Sequence, residues 1–258
     1  MNWDIDHLDL EAYLTRIGHD GPRDATPGTL RAVHRAHVTA IPFENLDAVL
    51  GRGVPIDLKS VQDKLVGGRR GGYCHEHNLL LAAALERLGF PVTRHLARIR
   101  LGRPHLPRSH AVLTVEAGGI RWLADAGFGG DGLVEPLPLA DGAHAALGEW
   151  RWRLGRDGGF WVLHAGSAEL YAFREDEPQY PSDFEMANHY VATHPRSPFV
   201  RHVLAQRTVL SPDGHAARVR VGDLGATTAR ELADALRDRI GITITEQDAA
   251  PLLSRLTG

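Results

Sequence analysis

One helical segment constrains the fold of this chain more than any other feature. The pattern from about Cys74 to Leu88 predicts a helix, and every residue from Leu79 to Leu85 is leucine or alanine. A helix that is apolar on nearly all sides is stable only when other parts of the protein surround it. Gly89 supplies a helix-ending residue and Pro91 prevents continuation. The sequence therefore predicts a buried central helix.

Shorter amphipathic segments precede this helix. Their apolar residues recur at helical spacing, which predicts three more helices, over residues 10–17, 29–38 and 61–66. The first ninety residues are therefore expected to form a helical bundle.

From Val92 onward the period of the apolar residues changes to two. The turns Gly118-Gly119 and Gly158-Gly159 separate alternating runs, a pattern typical of an antiparallel meander. A last hairpin, with its turn at 211–214, is followed by two helices, the first of them capped by Thr228. The pattern predicts an α+β protein in three parts: helices over 1–89, a β-barrel or curved sheet over 90–198, and a mixed segment over 199–258.

Charge and composition exclude several classes of protein. The net charge is −3 at pH 7, so no overall positive field attracts nucleic acid or an anionic membrane. No apolar stretch reaches the length of a membrane span, and the start lacks a secretory pattern, which together predict a cytoplasmic protein. The single cysteine excludes an intrachain disulfide and any zinc site that needs two thiolates.

That cysteine, Cys74, lies between the Gly71-Gly72 turn and the first turn of the predicted central helix. Free backbone N–H groups and the positive end of the helix dipole stabilise a thiolate at such a position. The two glycines also allow a substrate carbonyl to approach closely. An inert, packed cysteine is the alternative, but it would sit more naturally among the leucines in the middle of the helix. The position therefore favours a reactive thiol.

A nucleophilic thiolate needs an imidazole partner, and the imidazole needs a group that orients it. If Gly118-Gly119 forms a two-residue turn, Val112 pairs with Asp125, and His110 lies on the same face as Asp125, diagonally across. A turn at Ala117-Gly118 would instead place His110 directly opposite Asp125, whereas a three-residue turn would separate the two side chains. Cys74, His110 and Asp125 are the candidate catalytic residues.

Five ordered blocks carry a specific resemblance to the arylamine N-acetyltransferase family. They are Ile-Pro-Phe-Glu-Asn-Leu at 41–46, Arg-Gly-Gly-x-Cys-x-Glu-x-Asn at 70–78, Ser-His-Ala-Val-Leu at 109–113, Asp-Ala-Gly-Phe-Gly at 125–129, and Phe-Glu-Met-Ala-Asn at 184–188 with Thr-His-Pro-x-Ser-x-Phe at 193–199. One departure is Ala126, where the family often has valine. Any one block is weak evidence, but five in the family's order are highly specific.

The resemblance implies a helical bundle, an antiparallel β-barrel and a C-terminal α/β lid around a cysteine-protease-like Cys-His-Asp core. It implies acetyl-coenzyme A as acyl donor and an arylamine, arylhydrazine or N-hydroxyarylamine as acceptor, in a family known chiefly for xenobiotic amines. Carried over by position, Cys74 accepts the acetyl group, His110 is its base and Asp125 orients His110. The implied route is a double displacement (ping-pong) through an acetyl-cysteine.

Phe43 and Phe128 match positions that line the acceptor pocket of that family, and aromatic walls suit a flat arylamine. Tyr73, beside the nucleophile, is a third candidate substrate-binding residue. Each of these rings could equally belong to the core.

The glycine loop after Asp125 is the candidate site for coenzyme A, because bare backbone can approach the pantetheine or pyrophosphate. Its candidate residues are Gly127, Gly129 and Gly130. A basic stretch could also meet the phosphates, although its alternation is more simply a solvated strand face: Arg94, Arg98, Arg100, Arg103 and Arg108.

Arg70, Glu44 and Asn45 are expected to be structural, forming a buried ion pair and hydrogen bonds that fix the nucleophile loop. No metal is expected, because His75 and His77 stand two residues apart on a helix and point in different directions.

Three other functions remain open at this stage. An amide synthase of the same fold, which closes a macrolactam from a thioester-bound acyl chain, would keep the same three residues, although the C-terminal segment 223–258 favours the acetyltransferase. A thiol hydrolase or transglutaminase-like enzyme and a non-catalytic binding module are the others. The expected partner is a small-molecule amine, with the protein a monomer or homodimer.

Overall fold

A computed structural model describes residues 3–102, 105–177, 179–211 and 216–257. Its helices are α1 (Leu10–Ile17), α2 (Pro27–Ala40), α3 (Leu46–Val49), α4 (Leu58–Gln62), α5 (Cys74–Arg87), α6 (Pro181–Thr193), α7 (Pro198–Arg201), α8 (Ala229–Ala235) and α9 (Glu246–Thr257). Two of them continue into a π-helical turn, α4 over Asp63–Gly67 and α8 over Leu236–Ile240. In these ranges no helix combines the length and the apolar character that crossing a membrane requires.

The strands form two sheets. They are β1 (Phe43–Glu44), β2 (Val92–Ile99), β3 (Arg108–Ala117), β4 (Ile120–Ala124), β5 (Leu137–Pro138), β6 (His144–Leu147), β7 (Trp150–Asp157), β8 (Phe160–Ala165), β9 (Ala168–Phe173), β10 (Ala205–Leu210) and β11 (Ala216–Arg220). The larger, antiparallel sheet has the order β5-β4-β3-β2-β9-β8-β7-β6, and the smaller one has the order β1-β10-β11.

Helix α5 is the central helix that the sequence predicts. All of its residues from Cys74 to Leu85 are buried, so its polar first turn is covered as completely as the run of leucine and alanine that follows. Leu81 of α5 shares one apolar cluster with Leu14 of α1 and Leu30 of α2. The predicted helical bundle is therefore confirmed, and α5 is its most buried member.

Local signals explain where the neighbouring helices begin and end. Helix α1 ends at Gly18, whose φ of 69° is a left-handed conformation that glycine adopts without strain. The hydroxyl of Thr26 accepts a hydrogen bond from the N–H of Thr29 and so caps the start of α2. The third predicted helix begins earlier than expected, at Leu58, because Asp57 caps it there.

The large sheet curls into a barrel around one apolar cluster. Seven of its eight strands, all except β6, place a buried residue in that cluster. In chain order these residues are Ala97, Val112, Leu123, Leu137, Trp152, Leu163 and Tyr171. The predicted antiparallel barrel is confirmed.

The C-terminal part joins the helical bundle through the small sheet. Phe43 and Glu44 of β1 pair with Gln206 and Ala205 of β10, and β10 pairs in turn with β11. Helices α8 and α9 pack on this sheet and on α3 in a third apolar cluster. The predicted hairpin is confirmed, although most of its turn lies outside the described residues. The domain boundaries given above stay a prediction.

Candidate active site

The β3–β4 hairpin has the first of the predicted registers. Ala117 pairs with Ile120 across the two-residue turn Gly118-Gly119, and both glycines have positive φ, 61° and 76°. Tight hairpin turns favour this conformation because its twist matches that of the strands. When the same residue pairing is extended toward the open end of the hairpin, His110 and Asp125 lie on one face of the sheet.

His110 and Asp125 form a buried hydrogen-bonded pair. The Nε2–H of His110 donates to Oδ2 of Asp125 at 2.7 Å, and the two residues are 2% and 1% exposed. Burial alone lowers the pKa of His110, but the Asp125 carboxylate and the Cys74 side chain outweigh it and raise the pKa. The imidazole is therefore stabilised in its protonated form, as a partner for a thiolate.

Cys74 is the first residue of α5, and its side chain lies beside the same strand. Its thiol donates to the backbone oxygen of Ser109 at 3.7 Å, and Ser109 precedes His110 on β3. The structure thus brings together the three predicted catalytic residues, a thiol, an imidazole and a carboxylate.

Asp125 is held from three sides besides His110. Asn78 Nδ2 and the backbone N–H of Gly127 donate to its Oδ1, at 2.8 and 2.9 Å, and its own N–H donates to Nε2 of His34 at 3.1 Å. Burial raises the pKa of Asp125, but His110 and these donors reverse the effect, so the pKa is lowered. The carboxylate is therefore charged and fixed in orientation.

Two of the residues that hold Asp125, Asn78 and His34, are not among the candidate site residues predicted from the sequence. Asn78 lies one helical turn after Cys74, and it also donates to the Ala111 oxygen and accepts from the N–H of Ala126, so it ties α5 to β3 and to the loop after β4. Asn78 is the last residue of the Arg-Gly-Gly-x-Cys-x-Glu-x-Asn block, so the sequence contained a signal that could have identified it as a site residue.

His34 is a buried residue of α2. Its Nδ1–H donates to the Val134 oxygen at 3.0 Å, and its Nε2 must be the acceptor because the N–H of Asp125 can only donate. No local pattern links His34 to a residue 91 positions away.

The loop before Cys74 is anchored by the predicted ion pair. Arg70 Nη2 lies 2.7 Å from Oε1 of Glu44, which is fully buried. A Cβ on Gly71 would overlap the backbone oxygen of Pro42, so this position requires glycine. Asn45 is a correction to the prediction, because its Nδ2 donates to the oxygens of Phe199 and His202 and therefore fixes the chain around α7 rather than the nucleophile loop.

The two predicted pocket phenylalanines flank the site. Phe43 belongs to the apolar cluster that contains Cys74, and Phe128 packs edge-on against His110 with ring centroids 5.3 Å apart. Phe199, from the last sequence block, packs against Phe43 at 6.1 Å. Tyr73 is fully buried and its hydroxyl donates to Oδ1 of Asn188 at 2.6 Å, so here it packs behind the loop.

The glycine loop packs tightly on the site. A Cβ on Gly127 would lie 2.6 Å from Cα of Cys74, and one on Gly129 would lie 2.9 Å from the Phe43 ring. The N–H of Gly130 donates to Gln206 at 3.1 Å. Gly127 and Gly129 therefore have a packing reason to be glycine. The contact of all three glycines with coenzyme A stays a prediction.

The basic stretch is not a uniformly solvated face. Arg94 is only 5% exposed, because its guanidinium pairs with Glu86 and lies over the Trp3 ring. Arg100 and Arg108 form ion pairs with acidic neighbours, and Arg98 donates to a backbone oxygen. Arg103 lies outside the described residues.

His75 and His77 have different surroundings, as predicted. His77 forms hydrogen bonds with His37 at 2.9 Å and with the Pro42 oxygen at 3.1 Å, whereas His75 packs between Tyr73 and Phe184. Over the described ranges, no three histidine, cysteine, aspartate or glutamate side chains are grouped to hold a metal ion.

Comparison with known proteins agrees with this geometry. A family model described as N-acetyltransferase matches residues 27–249. The chain is 39% identical over 258 residues to an arylamine N-acetyltransferase of Mycolicibacterium smegmatis, which covers 92% of this chain and 93% of that protein.

Solved structures give the same result. The arylamine N-acetyltransferase of Nocardia farcinica is 42% identical, with a TM-score of 0.85 over 100% of this chain and 98% of that one. The Mycobacterium marinum arylamine N-acetyltransferase, solved in complex with CoA, has a TM-score of 0.82 at 32% identity over 96% and 98%. This chain belongs to the arylamine N-acetyltransferase family.

Proposed function

We propose that the protein transfers an acetyl group from acetyl-coenzyme A to an arylamine or arylhydrazine through an acetyl-cysteine at Cys74. The observation that supports it is the position of Cys74 at the start of α5, beside a His110 that is hydrogen-bonded to a buried carboxylate. The relatives' activity and the CoA bound by one of them support the same substrates. An amide synthase has no comparable support.

In the first step Cys74 attacks the thioester carbonyl. A bond forms between Sγ and the acetyl carbon, the bond from that carbon to the sulfur of coenzyme A breaks, and His110 gives its proton to the departing thiolate. The two thioesters are nearly equal in energy, so this step requires mainly positioning and donors for the oxyanion. Backbone N–H groups near Cys74 are the proposed donors.

In the second step the amine attacks the acetyl-cysteine. Its nitrogen bonds to the acetyl carbon, the bond to Sγ breaks, and His110 takes the proton that the amine loses. Asp125 keeps the imidazole in place and stabilises its charge in both steps. Phe43 and Phe128 would hold the flat acceptor ring, with Tyr73 behind them, and the backbone of Gly127, Gly129 and Gly130 would face coenzyme A.

Intact-mass measurement tests this proposal. Acetyl-coenzyme A alone should add about 42 Da, the mass of one acetyl group, to Cys74, and a later addition of aniline or a hydrazide should remove it. Because the chain has one cysteine, the adduct can be assigned without ambiguity, and Cys74→Ser is the matched control. The absence of an adduct, together with the absence of amine-stimulated hydrolysis of acetyl-coenzyme A, would refute the proposal.

Asp125→Asn tests the orienting role, because it keeps the size of the side chain and removes its charge. We expect slower formation of the adduct at unchanged fold. The cytoplasmic location and the monomeric or dimeric state stay predictions.

A further inference from the structure

A buried carboxylate lies beneath the loop that carries Cys74, and the proposed mechanism does not use it. We propose that Glu76 is a positioning residue for the nucleophile: it holds the N–H of Tyr73 inside the protein, and so directs the N–H groups of the following helical turn at the acyl carbonyl. Lys64 keeps this carboxylate in place by balancing its charge. The inference rests on the proposed function, and it adds the residue that sets the geometry of the first step.

The carboxylate of Glu76 is fully buried and uses each of its oxygens for a different partner. Oε2 accepts a hydrogen bond from the N–H of Tyr73 at 3.0 Å, and Oε1 accepts one from Nζ of Lys64 at 2.8 Å. The first bond reaches back from the third residue of α5 to the residue before the helix, which is one half of a capping box. Because Tyr73 immediately precedes Cys74, a change in this bond would move the nucleophile as well.

Gly72 leaves the space that this carboxylate occupies. A Cβ on Gly72 would lie 2.6 Å from Oε2 of Glu76, which is too close for the two atoms to coexist. The N–H of Gly72 is itself bonded to the Pro42 oxygen at 3.3 Å. The N–H groups of two successive loop residues, Gly72 and Tyr73, are therefore bonded within the protein before the helix begins, and neither is free to bind a substrate.

The first turn of α5 presents the next N–H groups. Those of Cys74, His75 and Glu76 form no backbone hydrogen bond among the described residues, as is normal at the start of a helix. An oxyanion on the acyl group needs such donors at fixed positions, since the loss of one donor costs about 100- to 1000-fold in rate. The N–H groups of Cys74 and His75 are the nearest to Sγ along the chain, so they are the donors that Glu76 positions.

Lys64 is one of only two lysines in the chain, and it lies among several buried charges. Besides its bond to Glu76, its Nζ lies 2.8 Å from Oδ2 of Asp47 and 4.0 Å from Oε1 of Glu44. Arg70 forms ion pairs with the same two residues, Glu44 and Asp47. Three carboxylates thus share two cations, and the loss of Lys64 would leave Glu76 without a directly bonded cation.

Protonation of Glu76 does not remove its hold on the loop. Burial raises the pKa of Glu76 to about 7, and Lys64 opposes that effect. The protonated carboxyl still has an acceptor lone pair for the N–H of Tyr73. The positioning therefore depends on an oxygen at this place, and not on its charge.

Two reactions of Cys74 separate positioning from a general loss of structure. Acylation passes through an oxyanion, whereas alkylation by iodoacetamide displaces iodide and forms none. We expect Glu76→Ala to slow acetylation by acetyl-coenzyme A by about 10- to 100-fold. The alkylation rate on the plateau of its pH profile, where the thiol is fully ionised, should stay close to that of the native protein. A purely structural role would slow both reactions together or neither.

A double substitution tests the assignment of the two oxygens. The amide introduced by Glu76→Gln has one acceptor oxygen for two donors, the N–H of Tyr73 and Nζ of Lys64, so this variant should also slow acetylation. Adding Lys64→Met removes the competing donor, and the double variant should recover most of the native rate.

Two further variants are matched controls. Glu231→Ala removes the same kind of bond at the start of α8, where Oε2 of Glu231 accepts from the N–H of Thr228 at 3.2 Å. Lys59→Met removes the other lysine of the chain, which forms an exposed ion pair with Asp63. Neither substitution should change the ratio of acetylation to alkylation.

Several results would overturn the inference. Acetylation at the native rate in Glu76→Ala would do so, and so would an equal loss of both reactions. If Glu76→Ala does not fold, the glutamine variants decide the question. Recovery of the rate in Glu76→Gln/Lys64→Met would then support the inference. A Glu76→Gln protein as fast as the native one, or a double variant no faster than Glu76→Gln alone, would refute it.

Failure of the proposed function would have a different signature. In that case the native protein forms no acetyl adduct with acetyl-coenzyme A, while p-nitrophenyl acetate, an activated ester, still acylates Cys74 through the same kind of oxyanion. The ratio of this acylation to alkylation is then compared between the native protein and Glu76→Ala. A lower ratio in Glu76→Ala would support the positioning role, and an equal ratio would refute it.

Discussion

His34 supports the site from a distance, and its replacement gives the sharpest test of the structure. Its imidazole connects two buried backbone groups, the N–H of Asp125 and the carbonyl oxygen of Val134, at 3.1 and 3.0 Å. We compare His34→Leu, which removes both hydrogen bonds, with His34→Gln, whose amide can accept the first and donate the second. Both substitutions are compatible with a helix.

The expected cost follows from the two groups left unsatisfied. Asp125 and Val134 are each 1% exposed, so water cannot replace the imidazole. Each orphaned group costs about 1–3 kcal/mol, so His34→Leu should lower the free energy of unfolding by about 2–6 kcal/mol. This is a large part of the total stability of a domain, about 5–15 kcal/mol. His34→Gln should stay within about 1 kcal/mol of the native protein.

Two measurements check this expectation. Urea unfolding at pH 7 gives the free energy of unfolding by linear extrapolation. The pH dependence of Cys74 alkylation by iodoacetamide reports the site itself, because a loosened Asp125 no longer holds His110 in place. The leucine variant should change both, and the glutamine variant should restore both. A leucine variant that matches the native protein in stability and in alkylation profile would refute the reasoning, as would a glutamine variant as damaged as the leucine variant.

Three further predictions concern the surroundings of the site. Arg70→Met should lower the free energy of unfolding by about 3 kcal/mol in urea titration, because it leaves the fully buried Glu44 carboxylate without its main partner. Gly127→Ala should cost about 1–3 kcal/mol and slow acetylation of Cys74, because its Cβ would lie 2.6 Å from Cα of Cys74. The free energy of unfolding should also fall as the pH drops below 6.5, because burial lowers the pKa of His75 to about 3 and those of His77 and His95 to about 4. The unfolded chain then binds protons that the folded chain does not, and each contributes about 1.4 kcal/mol per pH unit.

The Gly127→Ala prediction has a matched control, and each of the other two has an outcome that would contradict it. Gly222→Ala places a Cβ in open space and should change neither stability nor acetylation. In the pH series Glu76 opposes the trend by one proton, because burial raises its pKa to about 7. Equal stability at pH 7 and pH 5 would contradict the buried neutral histidines. An Arg70→Met protein as stable as the native one would contradict the buried ion pair.

Local sequence signals predicted the parts of the fold that carry the catalytic residues. The leucine and alanine run defined α5. The two adjacent glycines indicated a tight β3–β4 turn but left alternative registers open, and the structure has the Gly118-Gly119 register, which brings His110 and Asp125 to one face. These signals act over a few residues, since a turn determines which side chains share a face of the hairpin.

The missed features depend on long-range contacts. Strand β5 has only two residues, too few for any periodicity, and the hydrogen bond from His34 to Asp125 joins residues 91 positions apart. The alternation around Arg94 suggested a solvent-facing side chain, but Glu86 and Trp3 cover it from other elements. Asn45 was assigned to the nearer loop, whereas its partners are more than 150 residues away.

Strand β1 has a consequence for the order in which the protein can form during synthesis. On one side it is bridged to Gly72, in the loop that precedes Cys74, whose oxygen accepts a hydrogen bond from the N–H of Glu44. On the other side its two residues pair with Gln206 and Ala205 of β10. The second partner is translated about 160 residues later than β1, so a nascent chain can assemble the helical bundle long before this sheet is complete. Contacts of such separation slow folding, because a long loop must close before they form. The strand against which the nucleophile loop pairs therefore gains its second neighbour only after about four-fifths of the chain has been translated.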